Sequence, residues 1–238
     1  MTTIIKLVVA SILALLMSSC NFPFGVRGNG NVQTIERTVG GTYDKIEVSN
    51  GLDVYLTQAD TESISVQADE NLHDMIITKI EGNVLKIYTD GNISFSKAQK
   101  VMVSFKNVSI ISSSSGSDVY STNTFKTQSI KLETSSGSDM TLDINAQSIT
   151  CSTSSGSDLK LSGSTTKLTA NASSGSDINA KDLKAETTHV EASSGADISV
   201  NTSKELYADA DSGGDIKYTG NPSKVKKNDT VSGSINEE

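Results

Sequence analysis

The 238 residues carry a formal charge of −8, with 35% hydrophobic and 5% aromatic content and no Trp. Both fractions are low for a two-layer globule. Eighteen lysines and only two arginines, Arg27 and Arg37, in an acidic chain argue against a phosphate-rich partner, so no nucleic acid is expected. Disorder is excluded by regular apolar alternation along the chain, and a narrow solenoid needs only a thin core.

The first twenty residues stand apart from the fold. Lys6 precedes an apolar run from Leu7 to Met17, which is signal-peptide length and too short to span a bilayer. Leu16-Met17-Ser18-Ser19-Cys20 resembles the lipobox of bacterial lipoproteins, with Met17 where Leu is usual. The resemblance implies cleavage before Cys20, acylation of that Cys and a membrane tether, because several acyl chains anchor stably. Asn21 rather than Asp after the Cys implies sorting to the outer membrane. An ordinary secretory signal cut near Ser19 is the alternative. The expected divisions are a signal over 1–19, a lipidated tether over 20–34, a strand-rich section over 35–110, regular coils over 111–220 and a terminal cap and tail over 221–238.

In the strand-rich section, alternation predicts strands at Ile46–Val48, Val54–Leu56, Ser63–Gln67, Val84–Tyr88 and Val101–Phe105. Asn50-Gly51 is a turn signal, since both residues tolerate positive φ. Ser49-Asn50-Gly51-Leu52-Asp53 reads as a diverged copy of a phrase that recurs later. A short helix is plausible only at Asn71–Ile76. The bulkier aromatic content here fits an end section that covers the first open coil.

From Ser109 onward one phrase governs the chain. Ser-Ser-Gly-Ser-Asp, or a close variant, closes at Asp118, Asp139, Asp158, Asp177, Asp197 and Asp215, with glycines at Gly116, Gly137, Gly156, Gly175, Gly195 and Gly213. The glycines step by 21, 19, 19, 20 and 18 residues, about one turn of a β-solenoid. Apolar residues alternate on both sides of each glycine, as in Ile149, Cys151, then Leu159, Leu161. The pattern predicts an all-β, single-chain β-solenoid, right-handed and β-helix-like, with coils of about twenty residues made of two short strands each. Meandering hairpins would not place the phrase at such constant spacing. Pro222 should break the ladder, Lys224, Lys226 and Lys227 should discourage edge pairing, and Asn236-Glu237-Glu238 should fray.

Stacking in register would align the six aspartates ~4.8 Å apart, where like charges repel. Three readings compensate for that repulsion. Each Asp accepts hydrogen bonds from the backbone and Ser hydroxyls of its own corner; the column binds Ca²⁺; or the Ser/Asp face meets a sugar or a protein. The corner reading comes first, with no cofactor or metal expected and Ca²⁺ the minor alternative. Each glycine should occupy positive φ, so Gly156→Val should cost more than Ser157→Ala. Cys151 falls at a buried apolar position and is not read as a nucleophile. His73 and His189 have no partner spaced for zinc or a triad, the serines lack a nucleophile-elbow pattern, and the coils carry no cleft-building loops, so no catalytic residue is assigned.

The chain resembles the head GIN domain family, described as putative auto-transporter adhesins. The resemblance rests on Tyr43-Asp-Lys-Ile-Glu-Val-Ser-Asn-Gly51, Val54-Tyr-Leu-Thr-Gln58, Asn71-Leu72, Leu85-Lys-Ile87 and the Gly-Ser-Asp repeats. It implies an adhesin-type solenoid of the cell envelope without catalytic residues. Two functions follow as expectations. One is a lipid-anchored module whose repetitive face binds a glycan or envelope protein. The other is a structural spacer whose open coil ends drive homo-oligomers, with a β-helix polysaccharide enzyme a distant third.

Overall fold

The computed structural model describes residues 25–230 and 232–238. The signal-like segment and Cys20 lie outside them. The described chain is one stack of parallel β-coils, with strands Asp139–Ser154, Asp158–Ser173, Asp177–Ala192 and Asp197–Ala210 each running from one corner almost round to the next, and Phe125–Ser135 completing the coil that Asp118–Ser121 begins. Two short strands per coil were expected. The strands merge because the bends between faces leave the ladder to the neighbouring coil unbroken, apart from irregularities after Lys160 and Ala180.

Inward positions follow the alternation. Met140, Leu142, Leu159, Leu161, Ile178 and Ile198 are buried after the corner, and Ile149, Cys151, Leu168, Ala170 and Leu206 before it. A third inward row (Phe125, Ile144 and Leu183) lines the remaining face. Removing such rows from water supplies the main drive for folding, at roughly 25 cal/mol per Å² of apolar surface.

The strand-rich section belongs to the same stack, in an order that departs from the sequence. Lys45–Val48 and Asp53–Gln58 pair in parallel with Ile110–Ser113 and Asp118–Ser121 on one side. On the other side they pair with Val84–Thr89 and Gln99–Phe105. The chain therefore builds its second coil first, goes back to build the first, and skips over both to begin the third. Ser63–Asp69 pairs antiparallel with Gln99–Phe105 and Val32–Arg37 pairs antiparallel with Ser63–Asp69, so the stack is closed at this end by a strand of reversed direction and an outer one that runs with the coils. Ile76–Glu81 adds a further antiparallel strand beside Val84–Thr89. The helix expected at Asn71–Ile76 is a single 3-10 turn, Glu70–Leu72.

The tether reading of 20–34 is corrected for its described part. Val26–Arg27 pairs with Ile93–Phe95 in a separate two-stranded sheet. The fully buried Asp69 accepts bonds from the N–H groups of Gly30, Lys97 and Ala98. Burial alone would raise its pKa, but these three donors outweigh burial and hold it below the usual carboxylate range. Gly28 passes so close that a side chain there would collide with the Asp69 carboxylate. Residues 25–31 are thus latched onto the cap.

The far end is also corrected. Lys224–Asp229 continues the ladder on Glu205–Ala210, and Ser234–Glu237 continues it on Asp215–Tyr218, so 221–238 adds to the stack; the ladder is broken at Pro222, where pairing stops at Thr219 and resumes at Lys224. The expected fraying is absent: the Glu238 N–H donates to the Tyr218 carbonyl, and its carboxylate pairs with Lys181. Lys227 stands in the inward row, directly after Ala208. Its ammonium donates to the Ile235 carbonyl and lies 4.7 Å from the Tyr218 ring centre. An inward charge on the last coil blocks edge-to-edge pairing.

Candidate functional site: the corner column and the face beside it

Each corner places two consecutive residues in the left-handed region. The six glycines have φ between 64° and 82°, and the serines before them (Ser115, Ser136, Ser155, Ser174, Ser194 and Ser212) have φ between 47° and 58°. Positive φ at the glycine agrees with the sequence; positive φ at the serine was not expected. The reason lies between coils. This conformation turns Gly137 N–H onto the Ser155 carbonyl, and Asp158 N–H back onto the Ser138 carbonyl. The backbone ladder therefore runs through the bend, at the cost of a strained serine. Asn50 and Gly51 adopt the same pair of angles, and Gly51 N–H bonds the Ser115 carbonyl, so the diverged copy is a true corner.

The residue after each glycine, rather than the Asp, satisfies the corner. Ser117, Ser138, Ser157 and Ser176 are fully buried. Ser138 Oγ accepts from Ser135 N–H and donates to the Ser113 carbonyl. Ser157 Oγ lies 3.0 Å from Thr134 Oγ1, and Ser176 Oγ 2.8 Å from Thr153 Oγ1. These hydroxyls form an internal ladder that ends where Ala172 and Ala196 replace them.

The aspartates stand outside this network in one column. Asp53, Asp118, Asp139, Asp158, Asp177, Asp197 and Asp215 occupy successive rungs, with Lys100 before them and Ser234 after. The column has seven members, one more than the repeats predict. Tyr120 donates to Asp118, its second member, at 3.3 Å, and Ser234 donates to Asp215, its last, at 2.5 Å. Among the described residues no side chain donates a hydrogen bond to Asp139, Asp158, Asp177 or Asp197. Burial first and like-charged neighbours second raise the pKa of Asp118, Asp158 and Asp197 above the usual range. Among the described residues no group of three or more His, Cys, Asp and Glu is placed to hold a metal ion.

Register also gathers side chains that no local motif marks. Tyr55 and Tyr120 stack after the corner with ring centres 5.4 Å apart, and His189 and Tyr207 stack before it at 4.4 Å. Members of each pair share one offset from their corner glycines, a signal available in the repeat spacing. Tyr207 donates to Glu205, and Lys224 and Lys226 lie over its ring. His189 is exposed, stacked on Tyr207 on one side and followed by the smaller Thr169 on the other. A groove of about 470 Å³ opens there. Beside this row runs a second, Asn171, Glu191, Asp209 and Asn228, of amides and carboxylates on consecutive rungs. Such a face can hold a flat polar ligand by ring contact and planar hydrogen bonds.

Cys151 is buried, and burial pushes its thiol up to about 12. His189 faces Tyr207 rather than a serine or a cysteine.

The family described as "Putative auto-transporter adhesin, head GIN domain" matches residues 42–222. Among solved structures, a putative adhesin from Bacteroides fragilis superposes with a TM-score of 0.84 at 20% identity, over 90% of this chain and all of that one. A protein from Parabacteroides distasonis, described as a putative lipid binding protein, gives 0.73 at 24% identity over 90% and 99%. A putative adhesin from Parabacteroides merdae gives 0.72 at 18% identity over the same shares. No protein with a curated description matches. The chain belongs to the head GIN domain family.

Proposed function

We propose that this head GIN domain protein is a lipid-anchored, non-catalytic envelope module that binds a glycan through the face before its corners. The observation that carries this reading is the groove at Thr169, His189 and Tyr207, bordered by the row of Asn171, Glu191 and Asp209. One sugar ring fits over the open face of His189 above Thr169, with its hydroxyls reaching the Asn171 amide and the Glu191 carboxylate. Aromatic support with planar amide and carboxylate partners is the chemistry that selects a polyhydroxylated ring. A rigid stack loses little entropy on binding, so modest contacts suffice. The spacer reading is weakened by Lys227, whose inward charge obstructs end-to-end stacking.

Glycan-array screening of the mature protein, followed by calorimetry on the hits, tests the reading. Binding should fall at least tenfold in both His189→Ala and Asn171→Ala, with the melting temperature unchanged. Capture of an envelope protein with no glycan, or glycan binding indifferent to both variants, would overturn it.

A further inference from the structure

The cap end carries most of the exposed large apolar side chains among the described residues. Phe95 is 58% exposed, Val26 43% and Ile35 37%, while Val225 alone lies at the far end. Val26 and Phe95 share the small sheet made by Val26–Arg27 and Ile93–Phe95, which stands outside the main stack. It is held there by Val26 N–H on the Asn92 carbonyl and Gly28 N–H on the Phe95 carbonyl. The Arg27 guanidinium lies 5.3 Å from the centre of the Phe95 ring, and Lys97 follows two residues on. Beside them Glu70 accepts from the Asn29 and Asn31 amides, and Asp69 is buried on three N–H donors. An aromatic and an aliphatic side chain flanked by cations match the boundary between acyl chains and anionic headgroups.

Chain length decides what this surface meets. Only four residues separate Cys20 from Gly25, and two of them are Phe22 and Phe24. Fully extended, the five steps from Cys20 to Gly25 reach at most ~18 Å, and the latch through Asp69 leaves no slack after them. Acyl chains on Cys20 therefore hold the Val26–Phe95 sheet at the membrane. We infer that this cap sheet is a membrane-contact surface, on which the solenoid stands with its axis directed away from the bilayer. The groove at His189 then lies several rungs of ~4.8 Å each from the cap, more than 25 Å out. This inference rests on the lipid-anchor reading of Cys20.

The test uses the mature lipoprotein in vesicles of phosphatidylethanolamine and phosphatidylglycerol doped with spin-labelled lipid. An environment-sensitive fluorophore is placed through Phe95→Cys, Val26→Cys or, at the far end, Lys217→Cys; the native Cys151 is buried and escapes labelling. Quenching at positions 95 and 26 should be at least twice that at 217, and intact mass should show acyl chains on Cys20. Acylated protein with equal quenching at all three positions would overturn the orientation and leave the anchor standing. A mass without acyl chains would remove the anchoring reading, and the inference with it. Shielding at 95 in the absence of lipid would assign the surface to a second copy or to residues 21–24, and would also overturn it.

Discussion

Asp158→Asn tests what the carboxylate column does to the fold. Asp158 has Asp139 and Asp177 on the adjacent rungs and no hydrogen-bond donor among the side chains. At ~5 Å, each like-charged neighbour costs roughly 0.8 kcal/mol in water. Two neighbours screened at physiological salt leave a net repulsion of about 1 kcal/mol. Neutralising Asp158 should therefore raise the melting temperature by about 2–4 °C at pH 7. The pH dependence has a definite sign. The raised pKa of Asp158 means the folded state binds more protons than the unfolded state between the two pKa values. Its contribution to stability is full below the unfolded value and is lost as pH rises through the folded value. The advantage of Asp158→Asn should thus shrink towards pH 4, and again in 1 M NaCl, where the screening length falls to about 3 Å. Thermal melts by circular dichroism across pH 4–8 at two salt concentrations measure this. A melting temperature that falls on substitution would show that Asp158 is held by favourable corner bonds, and a gain indifferent to pH and salt would show that charge repulsion is not its source.

Three further outcomes follow from the packing. Gly156→Val and Ser157→Ala should cost comparable amounts in urea titration, contrary to the expectation that the glycine dominates. A Cβ at Gly156 would meet no atom within 4 Å, so the main cost is the left-handed backbone, about 1–2 kcal/mol. Ser157→Ala strips the Thr134 hydroxyl and the Ser154 N–H of a buried partner, about 1–3 kcal/mol; an unchanged stability would refute the internal ladder. Lys227→Leu should increase self-association in a light-scattering concentration series, and equal masses for both proteins would remove the end-plug role. The Cys151 thiol, pushed up to about 12, should resist alkylation at pH 8 until denaturant is added, and rapid native labelling would contradict its burial.

Much of the architecture was legible because the repeat is a local signal. The constant interval between glycines and the alternation around them specify a coil length and an inward row, and those two quantities define a solenoid. The corner chemistry was legible only in part. Positive φ at Gly137 follows from its residue type, but positive φ at Ser136 follows from a carbonyl it offers to the neighbouring coil. The sequence likewise shows six aspartates as a set without showing that the serine before four of them is the buried hydrogen-bonding group. Alternation does place that serine inward, because it stands two positions before Met140, Leu159 or Ile178. The His189–Tyr207 stack could have been found by comparing equal offsets from Gly195 and Gly213, although its groove could not.

By itself, then, the sequence determined the all-β class, the coil length, the inward rows, the corner glycines and the family. These depend on interactions within one repeat or on its period. The tertiary structure alone decided the order of the first coils, the strands that close the stack, and the latch of residues 25–31 on Asp69. It also decided the inward turn of Lys227 and the side of the corner that carries a groove. Each of these depends on which coil lies beside which, and pairing between distant segments is settled by burial and backbone hydrogen bonding over the whole stack rather than by any local pattern.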